Sequence, residues 1–359
     1  MNSLNMDGKL PPRDLKELKT PIEELILGTD RTIIVPHNNL DYDAIGSAIG
    51  LSLIPKKLKK PSYVLVNDST YKMEYGLQRI LEEAKETVPI INKDKYLSME
   101  SARDLIILTD VSNSRLISLG DEIKNKDDVV VIDHHDPTPY LVDGKVNYVD
   151  TSASSASEIV TRLLKLYKIK IPANVANYLL AGIYLDTGKF SKISGNTSKV
   201  MADLFDAGAS MDVVKKWFVE SFESYRKVQE VVNNVKFYTY RLAIAVGDLD
   251  MEYKRDELAK SADALLKFGV DASFAIGTID DGSISISARG NDYVDVASIM
   301  RELDGGGNPH SAAANIKNGT LEDAEKSLIK IIRPKYYIKW DNYSVISFCL
   351  KSSLVRILL

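Results

Sequence analysis

Only four histidines occur in the 359-residue chain, and two of them, His134 and His135, are adjacent in VVVIDHHDPTPY, residues 129–140. They follow Asp133 at the end of an apolar run, where an ionisable trio is costly to bury unless each group finds a partner. Three further segments have the same form. IIVPHNNLDYD supplies His37, Asp41 and Asp43, DLIILTD ends at Asp110, and AGIYLD ends at Asp186. Carboxylates and imidazoles without thiolates suit a hard to borderline divalent cation, with manganese expected first and magnesium or ferrous iron as alternatives. The donors outnumber what one ion needs. Two ions ~3.5–4 Å apart, sharing a bridging carboxylate, would use them all and would generate hydroxide for in-line attack on phosphorus. The cations would also offset repulsion among the acids. Taken singly, Asp110 and Asp43 also read as helix N-caps, and His37 as a loop histidine. The adjacent imidazoles fit that plainer reading less well, because strand alternation sends them to opposite sides.

Residues so far apart in sequence need a scaffold that gathers strand ends. From residue 32, TIIVPH, SYVLVND, DLIILTD, DVVVID and KVNYVD read as strands. Between and after them, DAIGSAIGLSLIPKKL, YGLQRILEEAKE, SASEIVTRLLKLY and NVANYLLAGIYLD have helical spacing. The pattern predicts an α/β fold whose larger lobe is a doubly wound, mostly parallel sheet covered on both faces. Ligands of such sheets bind beyond the carboxyl ends of the strands. After residue 210, MDVVKKWFVESFESYRKVQEVVNNV reads as a helical connector. KFYTYRLAIAVGDL, DASFAIGTI and SISISARG then read as strands of a smaller α/β lobe, with a helix around RDELAKSADALLKF and a last one at LEDAEKSLIKII. A cleft between the lobes is expected to take a short substrate.

Composition narrows the partners. A net charge of −4 argues against long nucleic acid as a ligand. Cys349 is the sole cysteine, which leaves no disulfide framework and no thiolate cluster and is compatible with a cytoplasmic location. MNSLNMDGKLPPRDLKELKTP lacks a signal-peptide pattern, and no run approaches the ~20 apolar residues of a membrane helix. The tail segment YSVISFCLKSSLVRILL, interrupted by Lys351 and Arg356, reads as a docked strand or helix, with a weak membrane contact as the lesser alternative. A homodimer is allowed for, with no residue pattern that demands it.

HNNLDYDAIGSA, LTDVSNSR, VIDHHDP and GIYLDTGKF, in that order and spacing, resemble the DHH phosphoesterase family. SARG at 287–290 and GGGNPHSAA at 305–313 resemble its DHH-associated C-terminal domain, so the likeness spans residues 30–332. The subfamily it is most similar to contains nanoRNases, pAp phosphatases and cyclic di-AMP phosphodiesterases. The resemblance implies one metal on His37, Asp41 and Asp110, and a second on Asp43, Asp110, His134 and Asp186, with Asp110 bridging. It implies that His135 points toward the scissile phosphate or leaving oxygen and that Asp133 orients the histidines. Ser154 and Ser155 are expected to shape the loop and cap the helix that follows. On the substrate side it implies a phosphate fork at Arg289 and a close backbone approach at Gly305, Gly306 and Gly307.

This chain departs from the family pattern twice. Leu40 stands where proline is usual, and Asn308 stands where the family's GGGH has histidine, leaving either Asn308 or His310 for that role. The expected organisation is an N-terminal extension (1–30), a metal-binding catalytic domain (31–209), a helical connector (210–234), a substrate-binding domain (235–333) and a tail (334–359). The implied activity is metal-dependent hydrolysis of short 3′–5′-linked nucleotides, linear or cyclic di-AMP. The rival activities are pAp phosphatase, inorganic pyrophosphatase and a non-catalytic nucleotide sensor.

Overall fold

The apolar segments of the first half become strands buried on both faces. The computed structural model describes residues 14–67, 75–99, 103–239 and 241–336. The chain divides into two units, Met1–Val219 and Glu220–Leu359. The first begins with α1 (Leu15–Gly28), β1 (Arg31–Val35), α2 (Tyr42–Lys57), β2 (Ser62–Leu65), α3 (Tyr75–Ala84), β3 (Ile90–Ile91), α4 (Lys93–Leu97) and β4 (Asp104–Thr109). After two 3₁₀ turns come β5 (Val129–Asp133), β6 (Val146–Val149), α5 (Ala156–Leu166), α6 (Ala173–Asp186), α7 (Gly195–Asp206) and α8 (Met211–Trp217).

Its sheet runs β3-β2-β1-β4-β5-β6 with every pair parallel. Alternation sends Ile34, Ile107 and Ile132 into a thick helical layer, while Ile33, Leu108 and Val131 face Tyr96 and Ile123 on the other side. The sheet is therefore doubly wound. Chain direction across it reverses between β1 and β4, which opens a crevice at the carboxyl edge. The loops carrying His37 and Asp110 flank that crevice.

Two stretches take places that the sequence pattern did not assign. Leu15, Leu18, Ile22 and Ile26 of α1, at helical spacing, are buried in the first unit's core, so this part of the expected extension packs into the first unit. The stretch expected to connect the lobes breaks at residues 218–221. Trp217 of α8 is buried in the first core, where the Tyr42 hydroxyl donates to its carbonyl at 2.7 Å. Beyond the break, Val231 is buried in a core of the second unit. Residues 1–13, and the expected tail beyond residue 336, lie outside the described residues.

The second unit contains α9 (Phe222–Asn233), β7 (Val235–Thr239), β8 (Leu242–Val246), β9 (Glu252–Tyr253), α10 (Arg255–Leu266), β10 (Ala272–Ile279) and β11 (Ile284–Gly290). It ends with α11 (Val296–Arg301), β12 (Gly306–Asn308), β13 (Ser311–Ile316) and α12 (Leu321–Tyr336). Its mixed sheet runs β12-β13-β11-β10-β8-β7, with β9 on β10. The single strand expected at KFYTYRLAIAVGDL is a hairpin instead, because the Arg241 carbonyl accepts from the amides of Asp271 and Ala272 and anchors the turn beside β10.

Candidate metal centre

Strands β1, β4 and β5 deliver donors at the same edge, and helices α2 and α6 supply the others. β1 leads into His37 and then Asp41, whose carboxylate caps α2 by accepting from the amides of Asp43 and Ala44 at 2.9 Å. The helix so begun carries Asp43, fully buried, against the start of α5: its two oxygens accept from the amides of Ala156 and Ser157 at 2.6 and 2.8 Å. Ser155 caps α5, while the Ser154 hydroxyl donates to buried Glu158. Asp110 follows β4 with a left-handed φ of 59°, a region that aspartate tolerates better than most residues. Asp186 closes α6.

These side chains meet. His37 Nε2 lies 3.5 Å from Asp41 and 3.3 Å from Asp110, and His134 Nε2 lies 3.2 Å from Asp110, 3.3 Å from Asp186 and 3.8 Å from Asp43. Two ligand sets result, His37–Asp41–Asp110 and Asp43–His134–Asp186, with Asp110 in contact with both histidines. His135 stands differently. Its Nδ1 is 2.8 Å from Asp133, which also accepts the amides of His134 and His135. Its side chain is 56% exposed against 14% for His134, so its ring faces the opening. It is also 3.6 Å from Asp110, close enough to make an alternative ligand with Asp110 and His134.

The electrostatics call for cations. Burial works against a charged His37, but Asp110 and Asp41 override it and raise the imidazole to about 10. Burial opposes His134 too, yet Asp110, Asp186 and Asp43 raise it to about 11. Burial, with Asp110 and Asp186 close by, pushes Asp43 well above the carboxylate range, and Asp186 is raised mainly by burial. Burial would raise Asp110 also, but His134 and His37 hold it down at about 2. His134 Nε2 and Asp110 Oδ1 are buried without an aligned hydrogen-bond partner. An all-nitrogen-and-oxygen donor set, crowded acids and two orphaned buried ligand atoms fit a pair of divalent cations.

Comparison with known proteins identifies the domains. Residues 31–183 match the DHH family, N-terminal domain, and residues 236–334 match the DHHA1 domain. The chain carries both domains of a DHH-family protein. It is 33% identical over 320 residues to the cyclic-di-AMP phosphodiesterase GdpP of Geobacillus thermodenitrificans, with 87% of this chain and 48% of that protein covered. The chain thus spans about half the length of that relative. It is 25% identical to the bifunctional oligoribonuclease and PAP phosphatase NrnA of Thermus thermophilus, covering 91% of this chain and 97% of that protein. The crystal structure of an exopolyphosphatase-related protein from Bacteroides fragilis shares the fold, with a TM-score of 0.73 at 21% identity over 89% of this chain and 96% of its own.

In the DHHA1 domain a pocket of about 550 Å³ is lined by Arg255, Ser285, Ser287, Arg289 and Gly305–Gly307. A side chain at Gly305 or Gly307 would strike β13, and Gly307 has a φ of 140° that glycine alone adopts readily. Asn308 and His310 do not line this pocket. The Asn308 side-chain oxygen Oδ1 accepts from the amides of His310 and Ser311, which ties the side chain to the hairpin turn, and His310 faces Asp292 at 3.8 Å. Ser285 and Ser287 escaped the sequence reading, although the alternation of SISISAR puts them on the face of Arg289. Arg255 comes from α10, and no local pattern announces it. The α5 amides that hold Asp43 were equally hidden, because a backbone donor leaves no mark on residue type.

Proposed function

We propose that this chain is a metal-dependent phosphodiesterase acting on short 3′–5′-linked nucleotides, linear oligomers of a few residues or cyclic di-AMP. The observation that carries the reading is the convergence of His37, Asp41, Asp43, Asp110, His134 and Asp186 at the sheet's switch point, with Asp110 shared. When bound there, two divalent cations, with manganese the first choice, supply Lewis acidity and an activated water. His37, Asp41 and Asp110 would hold one, and Asp43, Asp110, His134 and Asp186 the other. The chain's own contribution to proton transfer is His135: Asp133 fixes its Nδ1, leaving Nε2 free to donate to the leaving ribose oxygen. The DHHA1 pocket would hold a nucleotide's base and ribose, with Arg289 and the glycine backbone as its donors.

The likeness to a cyclic-di-AMP phosphodiesterase and to a bifunctional oligoribonuclease and PAP phosphatase supports this substrate class. The second of these, matched along nearly its whole length, makes pAp the favoured alternative substrate. The test is a panel of cyclic di-AMP, pApA, longer linear RNA, pAp and pyrophosphate with Mn²⁺, repeated with chelator. Turnover of a dinucleotide that chelator abolishes supports the reading. Turnover confined to pyrophosphate, or none on any member, overturns it.

A further inference from the structure

One cation at the metal edge has no role in the scheme above. Arg115 belongs to the 3₁₀ turn Ser114–Leu116 that follows β4, five residues after Asp110. Its guanidinium carbon lies 3.4 Å from the centroid of the Tyr140 ring, and both side chains are exposed. Arg31, Arg103, Arg162, Arg241 and Arg289 each pair with a carboxylate, whereas no carboxylate among the described residues pairs with Arg115. An uncompensated guanidinium seated over a ring keeps N–H donors available to a ligand.

Its place in the fold is fixed by three ligand-bearing loops. The amide of Asn38 donates to the Leu116 carbonyl at 2.6 Å, and His37 forms a β-bridge with Ile117. Asn113 bridges to Leu141, and the Ser114 amide donates to the Tyr140 carbonyl at 3.0 Å. The loops after β1, β4 and β5 are thus stitched together, and Arg115 stands at the seam. A bridge brings Cα atoms within ~5.5 Å, and two residues span at most ~7 Å. The Arg115 backbone therefore lies within roughly 12 Å of the His37 backbone. Leu116 and Leu141 add exposed apolar surface beside it.

We propose that Arg115, held by the Tyr140 ring, binds the second, non-scissile phosphate of a substrate that carries two. The ligand class is a phosphorylated dinucleotide, a cyclic dinucleotide or a nucleoside bisphosphate, and the role rests on the phosphodiesterase reading. The metal ligands act on one phosphate, and a planar fork within reach supplies bidentate hydrogen bonds to the other. Tyr140 removes the rotamer freedom that a free arginine would lose on binding.

The experiment compares pApA with ApA, which lacks the second phosphate, on the metal-loaded full chain. The proteins are wild type, Arg115→Ala, Arg115→Lys, Tyr140→Phe and Tyr140→Ala. Arg115→Ala should raise KM for pApA by ~10- to 100-fold, the loss of hydrogen bonds to a charged group, with KM for ApA and metal content unchanged. Arg115→Lys should restore part of the difference and Tyr140→Phe nearly all of it. Tyr140→Ala should fall between wild type and Arg115→Ala. An unchanged KM for pApA in Arg115→Ala, or an equal change for both substrates, overturns the proposal. Should wild type hydrolyse neither, the phosphodiesterase reading fails, and the fork is judged by equilibrium binding of pAp against 5′-AMP. Wild type should then prefer pAp and Arg115→Ala should lose that preference; equal preference in both proteins overturns it.

Discussion

Asp110 touches His37 on one side and His134 on the other, and burial leaves its charge no water to turn to. Asp110→Asn is isosteric, and asparagine also tolerates the left-handed backbone at this position, so the substitution removes charge without forcing the loop. Activity should fall to background with every metal tried, because both ligand sets lose the same charge. Full turnover of that variant at saturating Mn²⁺ would contradict the shared-ligand assignment. His135 makes the complementary case. It is exposed and bonded through Nδ1 to Asp133, outside both proposed ligand sets. His135→Ala should keep wild-type metal content while kcat drops ~10²–10⁴-fold, the range for losing a general acid. A metal count lower by one would show instead that its contact with Asp110 is ligation. At this scale much of the sequence was legible: residue type and position at or just beyond the end of an apolar run picked out side chains that the fold brings together. The Tyr140 ring under Arg115 was not legible, since only the folded loops bring these residues together.

Helix α6 has to come close to α2 for Asp186 to reach Asp43, and small residues make the approach. A Cβ on Gly182 would lie 2.8 Å from Asp43 Cα and collide with Ser157. Gly182→Ala should push α6 away from the cluster, destabilise the fold by ~1–3 kcal/mol and weaken metal binding as well. Gly195→Ala, in a helical glycine position with open space around it, is the control and should do neither. Titration calorimetry and thermal melts on both variants check the pair. The opposite end of the sheet is tied by Asp128, buried just before β5, whose carboxylate accepts from Arg103 at 2.8 Å and Lys145 at 2.6 Å. Burial works against its charge, but Lys145 and Arg103 outweigh burial and hold it below the ordinary carboxylate value. A depressed carboxyl stabilises the fold above its unfolded value, ~3.9, and that contribution disappears as pH falls through the lower folded value. Both cationic partners are half exposed or more, which reduces the contribution by screening. Wild type should therefore melt above Asp128→Asn at pH 7, with the gap closing below about pH 4. A gap independent of pH would mean that the carboxylate's charge contributes nothing.

The two-sheet organisation of the molecule could be read from the spacing of apolar runs, because a buried parallel strand has no polar face to obscure it. The edges of the units could not. Leu15, Leu18, Ile22 and Ile26 have the same period in a loose amphipathic helix as in one docked on a core, so only packing shows that α1 belongs to the first unit. MDVVKKWFVESF reads as one polar helix until Trp217 is seen buried on one side of a break and Val231 on the other. The chemistry is divided along the same line. Every donor of the metal cluster lies in Met1–Val219, while the Arg289 pocket lies in Glu220–Leu359. In that pocket Arg289 Nε donates to Asp263 at 2.8 Å, which fixes the guanidinium while leaving other N–H groups for a ligand. Arg289→Ala removes the fork without touching the first unit's core. KM for dinucleotides should rise by ~10–100-fold, the worth of hydrogen bonds made by a charged group, with metal content equal to wild type. Some loss of kcat is compatible with this if the arginine also aligns the substrate. Unaltered kinetics in Arg289→Ala would remove the second unit from substrate binding. A fall in metal content would mean that the two units do not divide the work in this way.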